Sequence, residues 1–118
     1  MSATWFNGSC HCGAVKFEVR TALAPAARCN CSLCRRRGAL MSPMFDASEL
    51  KIVAGEGTLT SYRFNTRTAH HFFCSRCGIY PFHRKRVTPD FFGVNVFCLE
   101  GFDPVDIPVR RTVGAAMQ

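Results

Sequence analysis

The sequence predicts a small all-β protein whose single domain, residues 1–118, is held together by metal ions. Three observations support this prediction. Apolar and polar residues alternate in short segments, which is the pattern of strands with one buried face. No segment shows the 3.6-residue period of a long amphipathic helix. All but one of the eight cysteines stand in close groups, and a β-rich domain of this length gains stability from a metal cross-link.

The first half of the chain is expected to contain three strands. Residues 15–19 (VKFEV) alternate between apolar and polar side chains, which predicts a half-buried strand. Residues 28–30 are expected to form a short strand that leads into a cysteine-rich turn at 32–37. Residues 39–45 are apolar and predict a buried strand, with Pro43 near an edge because proline cannot donate to a β-ladder.

The second half is expected to continue as strands separated by turns. Residues 46–49 predict a short helical turn, and strands follow over 50–53 and 58–64, joined across two glycines. Residues 65–67 (NTR) predict the loop of a hairpin. The remaining predicted elements are strands at 69–73, 79–84 and 91–98, a loop at 87–90, and a C-terminal segment with little periodicity.

The composition is that of an ordinary globular protein, with 47% hydrophobic and 19% charged residues. No apolar run approaches the roughly 18 residues of a membrane span. The first residues lack the basic and then apolar segments of a secretory signal. We therefore expect a soluble, cytoplasmic protein with no membrane partner. In a secreted protein the cysteines would instead form disulfides, but a disulfide within a C-x-C pair would be strained.

The formal net charge of +7 is compatible with nucleic-acid binding. Metal binding changes this value, because seven thiolates and two zinc ions would lower it to about +4. Such a modest charge serves an anionic small molecule as well as a phosphate backbone.

Two cysteine pairs that lie far apart in the sequence predict one closed metal site. Cys10 and Cys12 form a C-x-C pair, and Cys74 and Cys77 form a C-x-x-C pair. Four thiolates complete the tetrahedral shell of a structural zinc ion. The alternative is redox chemistry at the C-x-x-C pair, but a thioredoxin-like motif requires a following helix in a βαβ unit, which the sequence does not predict.

Three further cysteines predict an open metal site. Cys29, Cys31 and Cys34 follow the spacing C-x-C-x-x-C, so a tight turn can direct all three sulfurs at one ion. Three protein ligands with a vacant position are typical of catalytic zinc. Three thiolates leave a net charge near −1, which favours binding of an incoming thiol over generation of hydroxide. The alternative is a second structural site closed by a distant ligand, for which the candidates are Cys98, His70, His71 and His83.

A basic run follows the third thiol directly. Arg35, Arg36 and Arg37 are candidates for recognition of substrate carboxylates, which arginine binds through two parallel hydrogen bonds. The alternative is a solvated run of charges. Proton transfer has no clear candidate beyond His11 and His83. Cys98 lies in an apolar segment and is expected to be a buried thiol.

Three motifs in this order resemble the glutathione-dependent formaldehyde-activating family. They are residues 8–17 (GSCHCGAVKF), 29–35 (CNCSLCR) and 73–78 (FCSRCG), and together they are far more specific than any one of them. Residues 62–66 and 71–78 are most similar to the branch of this family that includes centromere protein V.

The resemblance implies an all-β, tent-shaped fold of small antiparallel sheets stabilised by two zinc ions per chain. The family's named activity joins glutathione to formaldehyde as S-(hydroxymethyl)glutathione and is classed as a carbon–sulfur lyase. The partners that it implies are therefore a small thiol such as glutathione and an aldehyde. The resemblance also implies the ligands: Cys10, Cys12, Cys74 and Cys77 for the structural zinc, and Cys29, Cys31 and Cys34 for the catalytic zinc.

Three other functions are compatible with the sequence. Because the adduct of glutathione and formaldehyde also forms without an enzyme, a role as a glutathione carrier is compatible with the sequence. Such a carrier would use the same site. A non-catalytic zinc module that binds nucleic acid or chromatin would use the basic residues, and its affinity would fall steeply with salt. Methionine sulfoxide reductases of the same fold need a redox cysteine outside the metal sites, and Cys98 is the sole candidate.

Overall fold

The computed structural model describes residues 3–29, 31–63, 69–84, 91–101, 103, 105 and 107–112. This part of the chain forms three small sheets, one short helix and three single-turn 3₁₀ helices, so the predicted all-β class is confirmed. The strands are β1 (Thr4–Ser9), β2 (Lys16–Thr21), β3 (Ala26–Cys29), β4 (Phe45–Asp46), β5 (Leu50–Ala54), β6 (Leu59–Tyr62), β7 (His70–Cys74), β8 (Phe82–Arg84), β9 (Phe91–Val94) and β10 (Val109–Thr112). The helix is α1 (Ser32–Arg37), and the 3₁₀ helices cover Ala47–Glu49, Glu56–Thr58 and Val96–Cys98.

The first sheet contains β1, β2 and β5 in antiparallel order. The alternation predicted for β2 is confirmed, because Phe17, Val19 and Thr21 are buried while Lys16 and Arg20 are exposed. Burial of a side chain such as phenylalanine contributes about 1.5–3 kcal/mol. β1 ends one residue before the first cysteine of the chain, so this sheet fixes where the first metal-binding turn begins.

The second sheet has five antiparallel strands in the order β4-β9-β8-β7-β6. The predicted hairpin is confirmed by the pairing of β6 with β7, while its predicted loop at 65–67 lies outside the described residues. β8 is central, and its Phe82 meets Phe17 edge-on with ring centres 5.6 Å apart. This contact packs the five-stranded sheet against the first sheet and forms the middle of the main core.

The third sheet is a parallel pair of β3 and β10, in which Thr112 lies opposite Cys29 and Arg111 opposite Arg28. Sequence periodicity predicts no strand in this C-terminal segment, because its side chains do not alternate. A parallel pair joins residues that are far apart in the chain, so local patterns carry little information about it. The pairing brings β10 beside Cys29, the first of the three cysteines.

β5 and β6 follow one another in sequence but belong to different sheets. The turn between them starts at Gly55, which has φ +81°. A Cβ atom at this position would collide with the carbonyl group of Ala14. Glycine is therefore required both by the backbone conformation and by the close approach of the two chain segments.

Several predicted boundaries are wrong for identifiable reasons. Residues 32–37 form the helix α1 in place of a turn. The predicted strand at 39–45 is reduced to β4 and an isolated bridge at Met41. The predicted strand at 91–98 stops at Val94, because the Asn95 side chain accepts a hydrogen bond from the Phe97 N–H and starts a 3₁₀ helix. The strand predicted for 79–84 begins at Phe82, directly after a proline that cannot donate to the ladder.

The aromatic residues are divided between core and surface. Phe17 and Phe82 are almost completely buried, whereas 52% of Phe97 and 38% of Phe91 is exposed. Phe64 and the predicted loop at 87–90 lie outside the described residues. Within the described ranges, none of the helices is long and apolar enough to cross a membrane.

Candidate metal and thiol site

The four cysteines predicted to form one site come together from two turns of the chain. Cys10 and Cys12 follow β1. Cys74 is the last residue of β7, and Cys77 lies in the turn after it. The sulfur of Cys12 lies 3.6 Å from that of Cys10 and 3.7 Å from that of Cys74. Four sulfurs at about 2.3 Å from a tetrahedral ion would be about 3.8 Å apart. The spacing therefore fits a metal ion, and it is far too long for a disulfide bond of about 2.05 Å.

The local backbone supports this four-thiol centre, which consists of Cys10, Cys12, Cys74 and Cys77. The N–H of Val15 donates to the Cys10 sulfur at 3.3 Å. The N–H of Gly78 donates to the carbonyl of Cys74 at 2.7 Å, and Gly78 has φ +78°. Hydrogen bonds to sulfur favour the thiolate form, which is the form that binds metal.

Electrostatics in the four-thiol centre favour a cation. The backbone N–H of Cys12 lowers the pKa of the Cys77 thiol to about 6. The N–H of Ala14 also lowers the pKa of the Cys12 thiol. Desolvation and the neighbouring thiols outweigh this effect and raise the pKa of Cys12 to about 11. Thiolates this close repel one another, so a bound cation is needed to hold all four in the ionised form.

The second group of cysteines, Cys29, Cys31 and Cys34, is called the three-thiol centre. Cys29 ends β3, Cys31 is the N-cap of α1, and Cys34 lies within the helix. Their sulfurs all lie within 4.8 Å of one another. The Cys31 N–H donates to the Cys29 sulfur at 3.4 Å, and the Cys34 N–H donates to the Cys31 sulfur at 3.3 Å. The helix start therefore directs three sulfurs to one point, as the spacing predicts.

β10 supplies a further contact to the three-thiol centre. Although burial raises the pKa of the Cys29 thiol, the N–H of Cys31 and the side chain of Thr112 lower it below its ordinary value. Burial, reinforced by the neighbouring thiols, raises the pKa of Cys34. The sequence provides no signal for Thr112, because its position depends on the pairing of β10 with β3.

The four candidates for a distant ligand do not complete the three-thiol centre. Among the residues that the structure describes, no other histidine, cysteine or carboxylate joins this group. Burial, together with the charges of Cys10 and Cys77, raises the pKa of Cys98 to about 12. Cys98 belongs to the same buried core cluster as Cys10. The remaining candidates lie on the five-stranded sheet: His70, His71 and His83.

Tyr80 is a residue near the thiols that the sequence analysis missed. It is buried, and its hydroxyl lies 2.6 Å from His83 Nδ1 and 3.5 Å from His71 Nδ1. Burial and the charge of Cys34 raise the pKa of the Tyr80 hydroxyl. His83, a candidate for proton transfer, is thus linked to Tyr80. Nothing in the sequence distinguishes this tyrosine from other aromatic residues of a core strand.

The three arginines after Cys34 have different environments. Arg35 is exposed, and Arg36 donates to the carbonyl of Ser32 at 2.8 Å within its own helix. The guanidinium carbon of Arg37 lies 4.1 Å from the centre of the Tyr80 ring. Arg37 Nη1 is buried and has no hydrogen-bond partner in the described part of the chain. Arg37 therefore differs from Arg35 and Arg36 in having a buried guanidinium nitrogen without a hydrogen-bond partner among the described residues.

A cleft of about 370 Å³ lies beside Arg37. Its walls include Cys10 and His11 of the first turn and the exposed apolar side chains of Ile79 and Phe97. It thus lies between the four-thiol centre and the helix that carries Cys34. A larger cavity of about 560 Å³ is lined largely by apolar side chains of the sheets and by no cysteine, so it is remote from thiol chemistry.

The fold and the two cysteine groups define a small β protein with two clusters of thiols that could each hold a metal ion, one with four sulfurs and one with three sulfurs among the described residues. The sequence profile of the glutathione-dependent formaldehyde-activating enzymes matches residues 5–110. The chain belongs to this family, which confirms the resemblance seen in the three motifs.

Two relatives are consistent with this membership. The chain is 38% identical over 80 residues to a Halomonas elongata protein whose name assigns it to the same family. The match covers 60% of this chain and 50% of the relative, so the chain spans about half of that protein's length. A crystal structure of a Rhodobacter sphaeroides protein is similar with a TM-score of 0.81 and 49% sequence identity, covering 88% of this chain and 99% of that chain.

Proposed function

We propose that the chain binds two zinc ions and acts in the cytoplasm on a thiol–aldehyde adduct, as a carbon–sulfur lyase similar to S-(hydroxymethyl)glutathione synthase. Family membership supports glutathione and formaldehyde as the substrate class. The observation that carries the proposal is the three-thiol centre, which gathers three metal-binding sulfurs with no fourth ligand among the described residues. An incoming thiol sulfur fits the vacant position.

The donor sets support zinc as the metal. Thiolate sulfur is a preferred ligand of zinc, and the described sulfurs have the separation that a tetrahedral ion requires. The structural ion would be held by Cys10, Cys12, Cys74 and Cys77, and the catalytic ion by Cys29, Cys31 and Cys34. When bound at the three-thiol centre, zinc would supply stabilisation of a substrate thiolate and polarisation of an aldehyde oxygen.

The arginines following Cys34 would hold the carboxylates of the thiol. Cys34 and Arg37 are three residues apart on α1, so their side chains lie on the same face of the helix. Arg37 combines this position with a place in the wall of the cleft and with a buried Nη1 that has no hydrogen-bond partner among the described residues. Arg35 and Arg36 are exposed and would contribute through longer-range attraction.

The reaction in the direction of synthesis joins two molecules without a leaving group. The thiolate sulfur forms a bond to the carbonyl carbon, the carbonyl π pair moves to oxygen, and the proton released by the thiol ends on that oxygen. The chain's task is to hold the thiol as thiolate, to orient the aldehyde and to stabilise charge on oxygen.

Exchange NMR at equilibrium tests the proposal, because the uncatalysed reaction is already reversible. Exchange of label between formaldehyde and S-(hydroxymethyl)glutathione would be measured with wild type, Cys31→Ser and Cys98→Ala. We expect wild type and Cys98→Ala to accelerate exchange at least tenfold over buffer, and Cys31→Ser to have no effect. If the protein binds the adduct without accelerating the exchange, it acts as a carrier and not as a lyase. Absence of both binding and acceleration would refute both.

A second candidate function is a non-catalytic module that binds nucleic acid. Arg28 and Arg111 are direct neighbours across the parallel pair, and both are exposed. Two like charges side by side are unfavourable unless an anion lies between or over them. Titration of a duplex oligonucleotide at several salt concentrations tests this function. Affinity that falls steeply between 50 and about 200 mM salt would support it, and absence of binding at low salt would exclude it.

A further inference from the structure

Tyr80 lies where the three-thiol centre meets the five-stranded sheet. Its ring packs in a small buried cluster with Ala39 and Met41, which follow α1 in the chain. Met41 forms bridges to Ala27 of β3 and to Asn95 beyond β9. The Tyr80 side chain thus packs on the segment that follows the three thiols, and that segment in turn pairs with the strand that precedes them.

The Tyr80 hydroxyl is held in one position by the sheet. His83 Nδ1 lies 2.6 Å from it, which is a short hydrogen bond, and His71 Nδ1 lies 3.5 Å away. The two imidazoles are stacked with ring centres 5.4 Å apart. A hydroxyl has one donor and two acceptor positions. If His83 donates from Nδ1, the hydroxyl proton remains available to a further acceptor.

The charges that act on this hydroxyl come from the three-thiol centre and its helix. Burial raises the pKa of Tyr80, and the charges of Cys34 and Cys31 raise it further, while Arg37 partly offsets them. The phenol therefore stays protonated and remains a donor. The guanidinium of Arg37, three residues after Cys34 on α1, lies over the Tyr80 ring, with its carbon 4.1 Å from the ring centre.

We propose that Tyr80, held by His83, donates a hydrogen bond to the oxygen of the aldehyde or its thiol adduct at the three-thiol centre. This inference rests on the proposed function and adds a catalytic residue to it. Negative charge develops on this oxygen when the sulfur–carbon bond forms. A buried donor fixed by its neighbours stabilises that charge without having to reorient. Tyr80 neither gains nor loses a proton over the whole reaction.

Two ligands of equal size separate this role from a structural one. S-(hydroxymethyl)glutathione, kept intact by excess formaldehyde, carries the oxygen, and S-ethylglutathione has a methyl group in its place. Binding of both would be measured for wild type, Tyr80→Phe and Tyr62→Phe, which removes a hydroxyl from the exposed tyrosine of β6. We expect Tyr80→Phe to weaken hydroxymethyl binding about tenfold and to leave S-ethyl binding within about twofold. Tyr62→Phe should change neither affinity.

A measurement on wild type covers the case in which Tyr80→Phe does not fold. The chain has two tyrosines, so labelling with carbon-13 at the ring Cζ gives two signals. The Tyr80 signal should shift with the hydroxymethyl ligand and stay in place with the S-ethyl ligand, while the Tyr62 signal stays in place with both.

The outcomes distinguish the two proposals. Equal loss of both affinities, or no loss, in Tyr80→Phe would overturn the role of Tyr80 while leaving the proposed function intact. In the labelling experiment, equal shifts with both ligands or no shift would have the same meaning. Failure of wild type to bind either ligand would overturn the proposed function, and the inference would fall with it.

Discussion

The guanidinium of Arg37 stacks on the ring of Tyr80, with 4.1 Å between the guanidinium carbon and the ring centre. The contact links the helix that carries Cys34 to the segment that leads into β8. Cation–π pairs are worth about 0.5–1 kcal/mol when exposed and about 2 kcal/mol when desolvated. The stacking uses the face of the guanidinium, and the buried Nη1 at its edge has no hydrogen-bond partner among the described residues. Under the proposed function, this one side chain would hold the helix against the sheet and also bind a carboxylate of the ligand.

Arg37→Ala should weaken glutathione binding more than Arg35→Ala does. A charge-assisted hydrogen bond is worth about 1.5–3 kcal/mol, so loss of the Arg37 contact should reduce affinity tenfold or more. Arg35 is exposed and should contribute only a small, salt-dependent part. Calorimetry of the zinc-loaded variants measures both effects, with zinc content and melting temperature as controls. Equal losses of affinity in the two variants would show that the arginines attract the ligand through their combined charge and not through a specific contact of Arg37.

Under the proposed function, the two zinc ions should differ in lability. The four-thiol centre closes its own shell, whereas the three-thiol centre has three protein ligands among the described residues. A chelator of moderate strength should therefore remove one ion per chain and leave the circular dichroism spectrum unchanged. Metal analysis after gel filtration gives the count. Simultaneous loss of both ions with unfolding would contradict the division into two roles.

The cysteine groups could be predicted from sequence because their information is local. A spacing of two or three residues places two sulfurs in one turn, and counting then pairs Cys10 and Cys12 with Cys74 and Cys77. Tyr80 and Thr112 could not be found in this way. Their positions depend on β8 lying beside β7 and on β10 pairing with β3 over a long stretch of chain. The arginine run is an intermediate case. The sequence identifies the three arginines as candidates, but successive residues of a helix point in different directions, so the structure is needed to show that Arg37 is the one that lies over Tyr80.

Cys12→Ser and Cys31→Ser should affect stability very differently. The four-thiol centre joins segments that are far apart in the chain, and structural zinc binding contributes directly to folding, so Cys12→Ser should cost several kcal/mol. Cys31 caps the start of α1 through its sulfur. Serine can serve as the same cap, so Cys31→Ser should spare the fold and lose the second ion. Thermal unfolding of the two variants gives the comparison, and matching melting temperatures would contradict it.

Cys98 should make the protein less stable at high pH. Its pKa is raised by burial to about 12, while an unfolded cysteine ionises at about 8.5. Between these values the unfolded chain releases a proton that the folded chain retains. Stability is therefore unaffected below pH 8.5 and decreases as pH rises from there toward 12.

Urea unfolding at pH 7.5 and 10 compares wild type with Cys98→Ala, which removes only this titration. Wild type should lose about 2 kcal/mol more than Cys98→Ala between the two pH values, which lie on either side of the unfolded pKa. Equal losses would mean that Cys98 has an ordinary, accessible thiol. An accessible thiol outside the metal centres is what a redox function of this fold would need. Measurement of the expected difference would therefore also argue against a redox role for Cys98.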